Sequence, residues 1–203
     1  MVKFVRLFAL LNVLFFSPLY SAMANTESVQ TIIESASQNI LGKIEAGRAG
    51  FAGNESHLYH QVGGVLDELV NFESIARGVM GSYFKTASSV QRDTFAKKFR
   101  VSIVELYTQT LIAFRSKSIE VLPLKSPPTD KASLTMVVTG DDGSVFTLNY
   151  SMAISGGEWQ VRNIIVNGIN LGLTYRAQFK SLMEEKKDID AVISAWGAEI
   201  QPE

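Results

Sequence analysis

The chain has 203 residues, 46% of them hydrophobic, with 19 basic residues against 20 acidic ones and no cysteine. A charge so balanced, without a long basic run, excludes the electrostatic footprint of nucleic-acid binding. The lack of cysteine excludes disulfides, a thiol nucleophile and a lipid-modified cysteine at an export cleavage site.

The first 24 residues read as a cleavable secretory signal. Lys3 and Arg6 form its positive start, Leu7 to Phe16 its apolar run, and Ser17-Pro18 a break before the A-x-A site Ala22-Met23-Ala24. The apolar run is short of the about 20 residues that span a bilayer. Cleavage before Asn25 leaves 179 residues, with 17 basic and 20 acidic side chains and a net charge of −3. That length suits one domain, residues 25–203, with a sizeable core. Without disulfides, burial has to stabilise it, which suits a bacterial periplasm.

Thr26 to Ala46 has the periodicity of a first helix. Val29, Ile32, Ile33, Ala36, Ile40, Leu41 and Ile44 recur at spacings of three and four. Gly47 to Gly53 reads as a loop. Asn54 caps a second helix to about Val70, with Gly63-Gly64 weakening its middle and predicting a kink. Asn71 to Gly81 carries a short third helix. Ser88 and Gln91 form a capping box that opens the longest helix, to about Phe114. Phe95, Phe99, Ile103, Leu106, Tyr107, Leu111 and Phe114 trace an aromatic-rich stripe along it. Lys97, Lys98 and Arg100 fall off that stripe and read as solvated.

The period then changes to two. Ser118 to Leu124, Lys131 to Thr139, Ser144 to Ile154 and Trp159 to Val166 read as four strands. Asp141-Asp142-Gly143 and Ser155-Gly156-Gly157 supply hairpin turns. Two helices close the chain, Leu171 to about Lys186 and Asp188 to about Trp196. The predicted fold class is α+β: helices packed over one face of a four-stranded antiparallel sheet, enclosing an apolar pocket.

Reactive chemistry is sparse. His57 and His60 lie at i, i+3 on the second helix, but no H-E-x-x-H pattern or nearby carboxylates complete a metal site. No G-x-S-x-G elbow or phosphate-cradling glycine loop occurs. No catalytic residue, metal or cofactor is therefore assigned. What remains is a surplus of large apolar side chains. Phe72, Ile75, Val79, Tyr83, Phe84, Phe99, Ile103 and Tyr107 come from the helices. Phe146, Tyr150, Trp159, Val161 and Ile164 come from the sheet, and Tyr175 and Phe179 from the helix after it. A packed core accounts for any one of them. One four-stranded sheet has little inner face for the whole set, which points to an unfilled space between sheet and helices.

Two segments carry a family resemblance. Trp159 to Phe179 reads W-x-V, apolar strand, x-G-[VI]-x-L, then Y-R-x-Q-F. Val70 to Ala87, followed by Gln91 and Phe95, is similar to "D-F-x-x-I-A-R-x-V-L-G-x-Y-W-[RK]-x-A-[TS]-x-x-Q-x-x-x-F". The matching positions of the second are Phe72, Ile75, Ala76, Arg77, Val79, Gly81, Tyr83 and Gln91. Together with the strand Val121 to Lys125 they resemble the MlaC family, the toluene-tolerance auxiliary component of a phospholipid ABC transport system. Asn71 stands where the family has Asp, Phe84 where it has Trp, Asn163 and Asn167 where acidic residues are common, and Thr174 where it has Asn. No salt bridge of Arg77 or Arg176 is therefore carried over from relatives.

The resemblance implies a periplasmic phospholipid carrier that is not an enzyme. Its cargo would be phospholipid, held by the fifteen apolar residues named above. Its partners would be an inner-membrane MCE-protein ABC transporter complex and an outer-membrane lipoprotein–porin complex, between which it would move lipid to maintain outer-membrane asymmetry. A monomer is expected. Gly78, Gly81 and Gly168 mark Gly78–Phe84 and Asn167–Leu171 as the expected mouth, although tight turns explain the glycines equally. Two other classes share an apolar pocket: an enzyme acting on lipids, which lacks a nucleophile–base pair here, and a lipoprotein chaperone, usually built on a larger half-barrel of strands.

Overall fold

A computed structural model describes residues 28–50 and 55–197. The expected signal segment and the Asn54 cap lie outside the described residues. Six helices and five strands follow in the order α1 (Val29–Gly50), α2 (Glu55–Leu69), α3 (Phe72–Met80), a 3-10 turn (Gly81–Lys85), α4 (Ser89–Ala113), β1 (Ser116–Val121), β2 (Lys131–Gly140), β3 (Val145–Ser155), β4 (Glu158–Val166), β5 (Ile169–Asn170), α5 (Leu171–Lys186) and α6 (Ile189–Ala195).

The α+β class and the antiparallel meander agree with the sequence, but the sheet has five strands, in the order β1-β2-β3-β4-β5. The fifth is short. Asn167 and Gly168 both take positive φ, 48° and 86°, and fold the chain back so that Ile169 and Asn170 pair with Val166 and Ile165. Asn167 is locked by exchange with Thr147: its backbone N–H donates to the Thr147 carbonyl, and its side-chain oxygen accepts from the Thr147 N–H.

Three glycine segments also differ from expectation. Helix α1 continues through Gly47 to Gly50 instead of ending at Ala46; Gly47 is buried. Gly78 lies inside α3 and does not interrupt it; the helix ends at Gly81, whose φ of 58° suits glycine. Helix α2 runs on through Gly63-Gly64, and Gly63 is a point of close helix approach: a Cβ there would lie 2.9 Å from Arg100 Nη2 and 3.4 Å from a Val104 methyl. Arg100 is accordingly not simply solvated. Its guanidinium forks onto both oxygens of Asp67 at 2.6 Å.

Local chemistry sets the helix starts. The Asn71 side chain accepts from Ser74 N–H at 2.9 Å, Ser88 and Gln91 exchange both bonds of a capping box, and Asn170 and Asp188 cap α5 and α6. The sheet's inner face follows from register. Leu134, Tyr150 and Ile164 lie side by side across β2, β3 and β4, with Met136, Leu148 and Val166 in the next row. A bulge at Arg162 moves β4 by one residue, so Trp159 and Val161 on one side of it and Ile164 on the other reach the same face. Backbones of α1 on β1 and of α2, α3 and α5 on β4 come close to the sheet, whereas α4 stands further back.

Candidate functional site

The fifteen expected apolar residues divide among three clusters. Phe72, Ile75, Val79, Tyr83, Phe84, Phe99, Ile103, Tyr175 and Phe179 pack in an all-helical cluster with Phe95 and Trp196. Its centre is a nest of rings. Phe95 meets Phe179 edge-on at 4.9 Å and Trp196 at 5.0 Å, and Phe99 meets Tyr175 at 5.6 Å. Phe99 and Phe179 are 2% and 0% exposed. Edge-to-face geometry of this density is that of a solid core.

Phe146, Tyr150, Trp159, Val161 and Ile164 form the second group, on the inner face of the sheet. Leu134 and Met136 belong with them and are absent from the sequence-derived set, although the alternation Ala132, Leu134, Met136, Val138 marks them. Tyr107 falls in the third group, beside Ile40, Ile44, Leu58, Val62 and Val65 of α1 and α2. One stripe of α4 links the three: Phe99 and Ile103 touch the first cluster, Tyr107 and Leu111 the third, and Phe114 the second.

Several of these side chains face inward without being fully covered. Ile103, Tyr107, Phe146, Leu148 and Ile164 are only partly buried. Tyr107 is the clearest case. Burial pushes its hydroxyl up to about 12, although part of the side chain's surface is left uncovered by neighbours. Burial, and then the nearby Tyr107, push the Tyr150 hydroxyl higher still. Partial cover is thus shared by residues of all three clusters, Ile103 and Tyr107 on α4 and Phe146, Leu148 and Ile164 on the inner face of the sheet.

The outer end of the helical layer has a different make-up. Two guanidinium groups lie over the Phe84 ring, with Arg92 at 4.3 Å and Arg77 at 5.2 Å from the ring centre. Arg77 therefore stacks on an aromatic ring, in keeping with the missing acidic partner. A groove of about 260 Å³ runs between Val79–Tyr83 and Leu173, Arg176, Ala177 and Lys180 of α5. Leu173 and the neighbouring Ile169 are 62% and 60% exposed. A second groove, about 450 Å³, lies where the Pro127-Pro128 loop meets β2, β3 and Arg162 of β4.

Among the described residues no group of three or more His, Cys, Asp or Glu side chains could hold a metal ion, and no helix is long and apolar enough to cross a membrane. His57 shares a 3.1 Å contact with Gln61, and His60 is exposed.

The family model described as MlaC protein matches residues 34–198. The chain belongs to the MlaC family. Within it, the toluene tolerance protein ttg2D of Pseudomonas putida is 31% identical over 185 residues, covering 90% of this chain and 85% of the relative. The intermembrane phospholipid transport system binding protein MlaC of Haemophilus influenzae is 25% identical over 155 residues, covering 74% and 72%. The fold is also that of a phospholipid-binding protein from Ralstonia solanacearum solved in complex with a phospholipid: TM-score 0.74, 18% identity, with 83% of this chain and 94% of that one covered. In this MlaC-family chain the signature positions do structural work: Phe72 and Val79 anchor α3 in the core, Gly81 ends it, and Gln91 completes the cap of α4.

Proposed function

We propose that this chain is a phospholipid carrier that takes acyl chains into the seam between α4 and the sheet. The observation that carries the reading is the incomplete cover of inward-facing Ile103, Tyr107, Phe146, Leu148 and Ile164, in a chain of the MlaC family. The physics favours such a device. Each buried methylene contributes about 0.8 kcal/mol, so an acyl chain of about 16 carbons is disfavoured in water by on the order of 10 kcal/mol. A carrier has to bury the tails and needs no reaction of its own.

The same reading covers the wider cycle. Residues 1–24 are a signal that is removed, and the domain works in the periplasm between an inner-membrane MCE-protein ABC transporter complex and an outer-membrane lipoprotein–porin complex. The mouth lies at the groove between Val79–Tyr83 and α5, where exposed Leu173 and Ile169 adjoin Arg176 and Lys180. Release there draws on differential binding to the partners.

Mass spectrometry of lipid extracted from the purified protein tests the reading. Phospholipid at about one molecule per chain is expected. Protein that carries none, and takes none from phospholipid vesicles, would sink it; fatty acid or lysolipid accumulating with time would favour the enzyme class instead.

A further inference from the structure

Two large aliphatic side chains stand out in water at the start of α5. Ile169 is 60% exposed and Leu173 is 62% exposed. Asn170 caps the helix, its side chain accepting from the Leu173 N–H at 3.1 Å, so Ile169 is the residue before the cap. An apolar residue in that place ordinarily packs on the one five positions further along. Here that position holds Thr174, whose hydroxyl donates to the Asn170 carbonyl at 3.0 Å. Ile169 therefore lacks its local partner. The turn that presents it is pinned: Asn167 and Gly168 take positive φ, and Asn167 exchanges two hydrogen bonds with Thr147.

Cations follow on the same face of α5. Leu173, Arg176, Ala177 and Lys180 recur at spacings of three and four, and all four line the groove opposite Val79–Tyr83. No carboxylate lines that groove. Arg176 lies against Gly81, with its Nε 2.9 Å from the position a Cβ would take there, and makes no ion pair among the described residues. Lys180 meets Glu184 at 3.5 Å, but the two side chains are 67% and 63% exposed, and such a pair holds little. With a rise of about 1.5 Å per residue, Arg176 follows Leu173 by about 5 Å along the axis and Lys180 by about 10 Å.

An aliphatic tip with cations one and two turns behind it matches the depth profile of a lipid surface, where anionic phosphates lie outermost and the acyl boundary about 5–10 Å beneath. An acidic protein face could meet the same cations, but it would need a pit shaped for two projecting aliphatic groups. We propose that this end of α5 docks on an anionic lipid bilayer, with Ile169 and Leu173 reaching the acyl boundary and Arg176 and Lys180 at the phosphates. The docking adds to the carrier reading and does not depend on where acyl chains are held.

The test is cosedimentation of the purified protein with phosphatidylcholine vesicles that contain either no phosphatidylglycerol or about one third of it. Binding to the anionic vesicles should exceed binding to the neutral ones about tenfold, and should fall as salt rises to about 0.5 M. Arg176→Gln should weaken it about fivefold, the share of one cation at a charged surface, and Lys180→Gln should act in the same direction. Ile169→Ser and Leu173→Ser should each weaken it several-fold through lost apolar burial. Val90→Ser and Lys117→Gln, which alter exposed side chains on α4 and β1, should leave it unchanged. A chain that ignores anionic vesicles overturns the proposal. So does binding that both serine variants leave unchanged; cations alone would then make the contact, and an acidic protein face would be the better occupant. Lipid already carried by the protein, extracted and counted by mass spectrometry before vesicles are added, separates the two readings. Carried lipid without docking overturns the docking alone, and docking without carried lipid overturns only the carrier reading.

Discussion

Arg100 lies across α2 at Gly63, with its Nη2 2.9 Å from the position a Cβ would take, while its guanidinium forks onto Asp67 four residues along the same helix. The glycine is the gap through which an arginine of α4 reaches an aspartate of α2. Two adjacent glycines thus have opposite roles, because Gly64 has nothing within 4 Å of its own Cβ position.

Gly64→Ala should therefore stabilise the protein by about 1 kcal/mol, the difference in helix propensity. In a domain of this size that is about 2–4 °C in melting temperature. Gly63→Ala gains the same propensity but displaces Arg100 from Asp67. That ion pair is partly exposed, at 35% and 45% for the two side chains, and is worth about 0–1 kcal/mol. The net change should be close to zero. Equal stabilisation by the two variants in thermal melts would show that Arg100 has no cost to moving.

Thr108 carries a second oddity of α4. Thr94 and Thr110 return their hydroxyls to the Val90 and Leu106 carbonyls at 2.7 and 2.8 Å, as helical threonines do. The Thr108 hydroxyl, on a residue with 0% exposure, has no partner among the described residues. Thr108→Val replaces it with a methyl group of the same shape and a similar helix propensity. Stabilisation by about 1 kcal/mol is expected in urea unfolding, because an unsatisfied buried donor is removed. A loss of that size instead would reveal a bridging water.

The two interior phenols give the protein an alkaline limit. Tyr107 titrates at about 12 and Tyr150 higher, both raised by burial, against about 10 in the unfolded chain. Below pH 10 both states hold the protons and stability does not depend on these groups. Above pH 10 the unfolded chain releases them while the folded chain keeps them, so stability falls as pH rises. The slope is about 1.4 kcal/mol per pH unit for each tyrosine, continuing to about 12 for Tyr107. Urea midpoints at pH 9, 10.5 and 11.5 should fall steeply for the native chain and less steeply for the double variant Tyr107→Phe, Tyr150→Phe. Matching slopes would mean that neither phenol is as deep as its surroundings indicate.

Most of the architecture was legible because it rests on local signals: the capping box of Ser88 and Gln91, the turn at Asp141-Asp142-Gly143, and strict alternation along β3. What escaped is non-local. A two-residue strand such as Ile169–Asn170 has no period of its own and exists through pairing with β4. The bulge at Arg162 switches the inward positions of β4 from odd to even, which alternation alone cannot anticipate. The site was harder still. Phe99, Ile103 and Tyr107 follow one another on a single helical stripe, yet the first is sealed in an aromatic core and the other two are only partly covered. Spacing identifies the stripe; which neighbours close over each residue is set by the packing of α1, α2, α5 and α6 around it.

That difference between neighbours on one stripe yields the last prediction. Phe179 touches Phe95, Tyr83 and Trp196 and is fully buried. Phe179→Ala should cost about 3–5 kcal/mol, the usual toll of removing a ring from a close-packed core. Ile103 packs against the same cluster but is only partly covered. In Ile103→Asp a carboxylate can draw water from the seam, so the melting temperature should fall less than in Phe179→Ala while bound phospholipid is largely lost. Both quantities are to be measured on the same preparations. If Ile103→Asp unfolds as readily as Phe179→Ala, Ile103 is core and the seam is closed at that point. If it stays folded and keeps its lipid, the tails lie elsewhere, and the groove around Leu173 and Arg176 becomes the next place to introduce a charge.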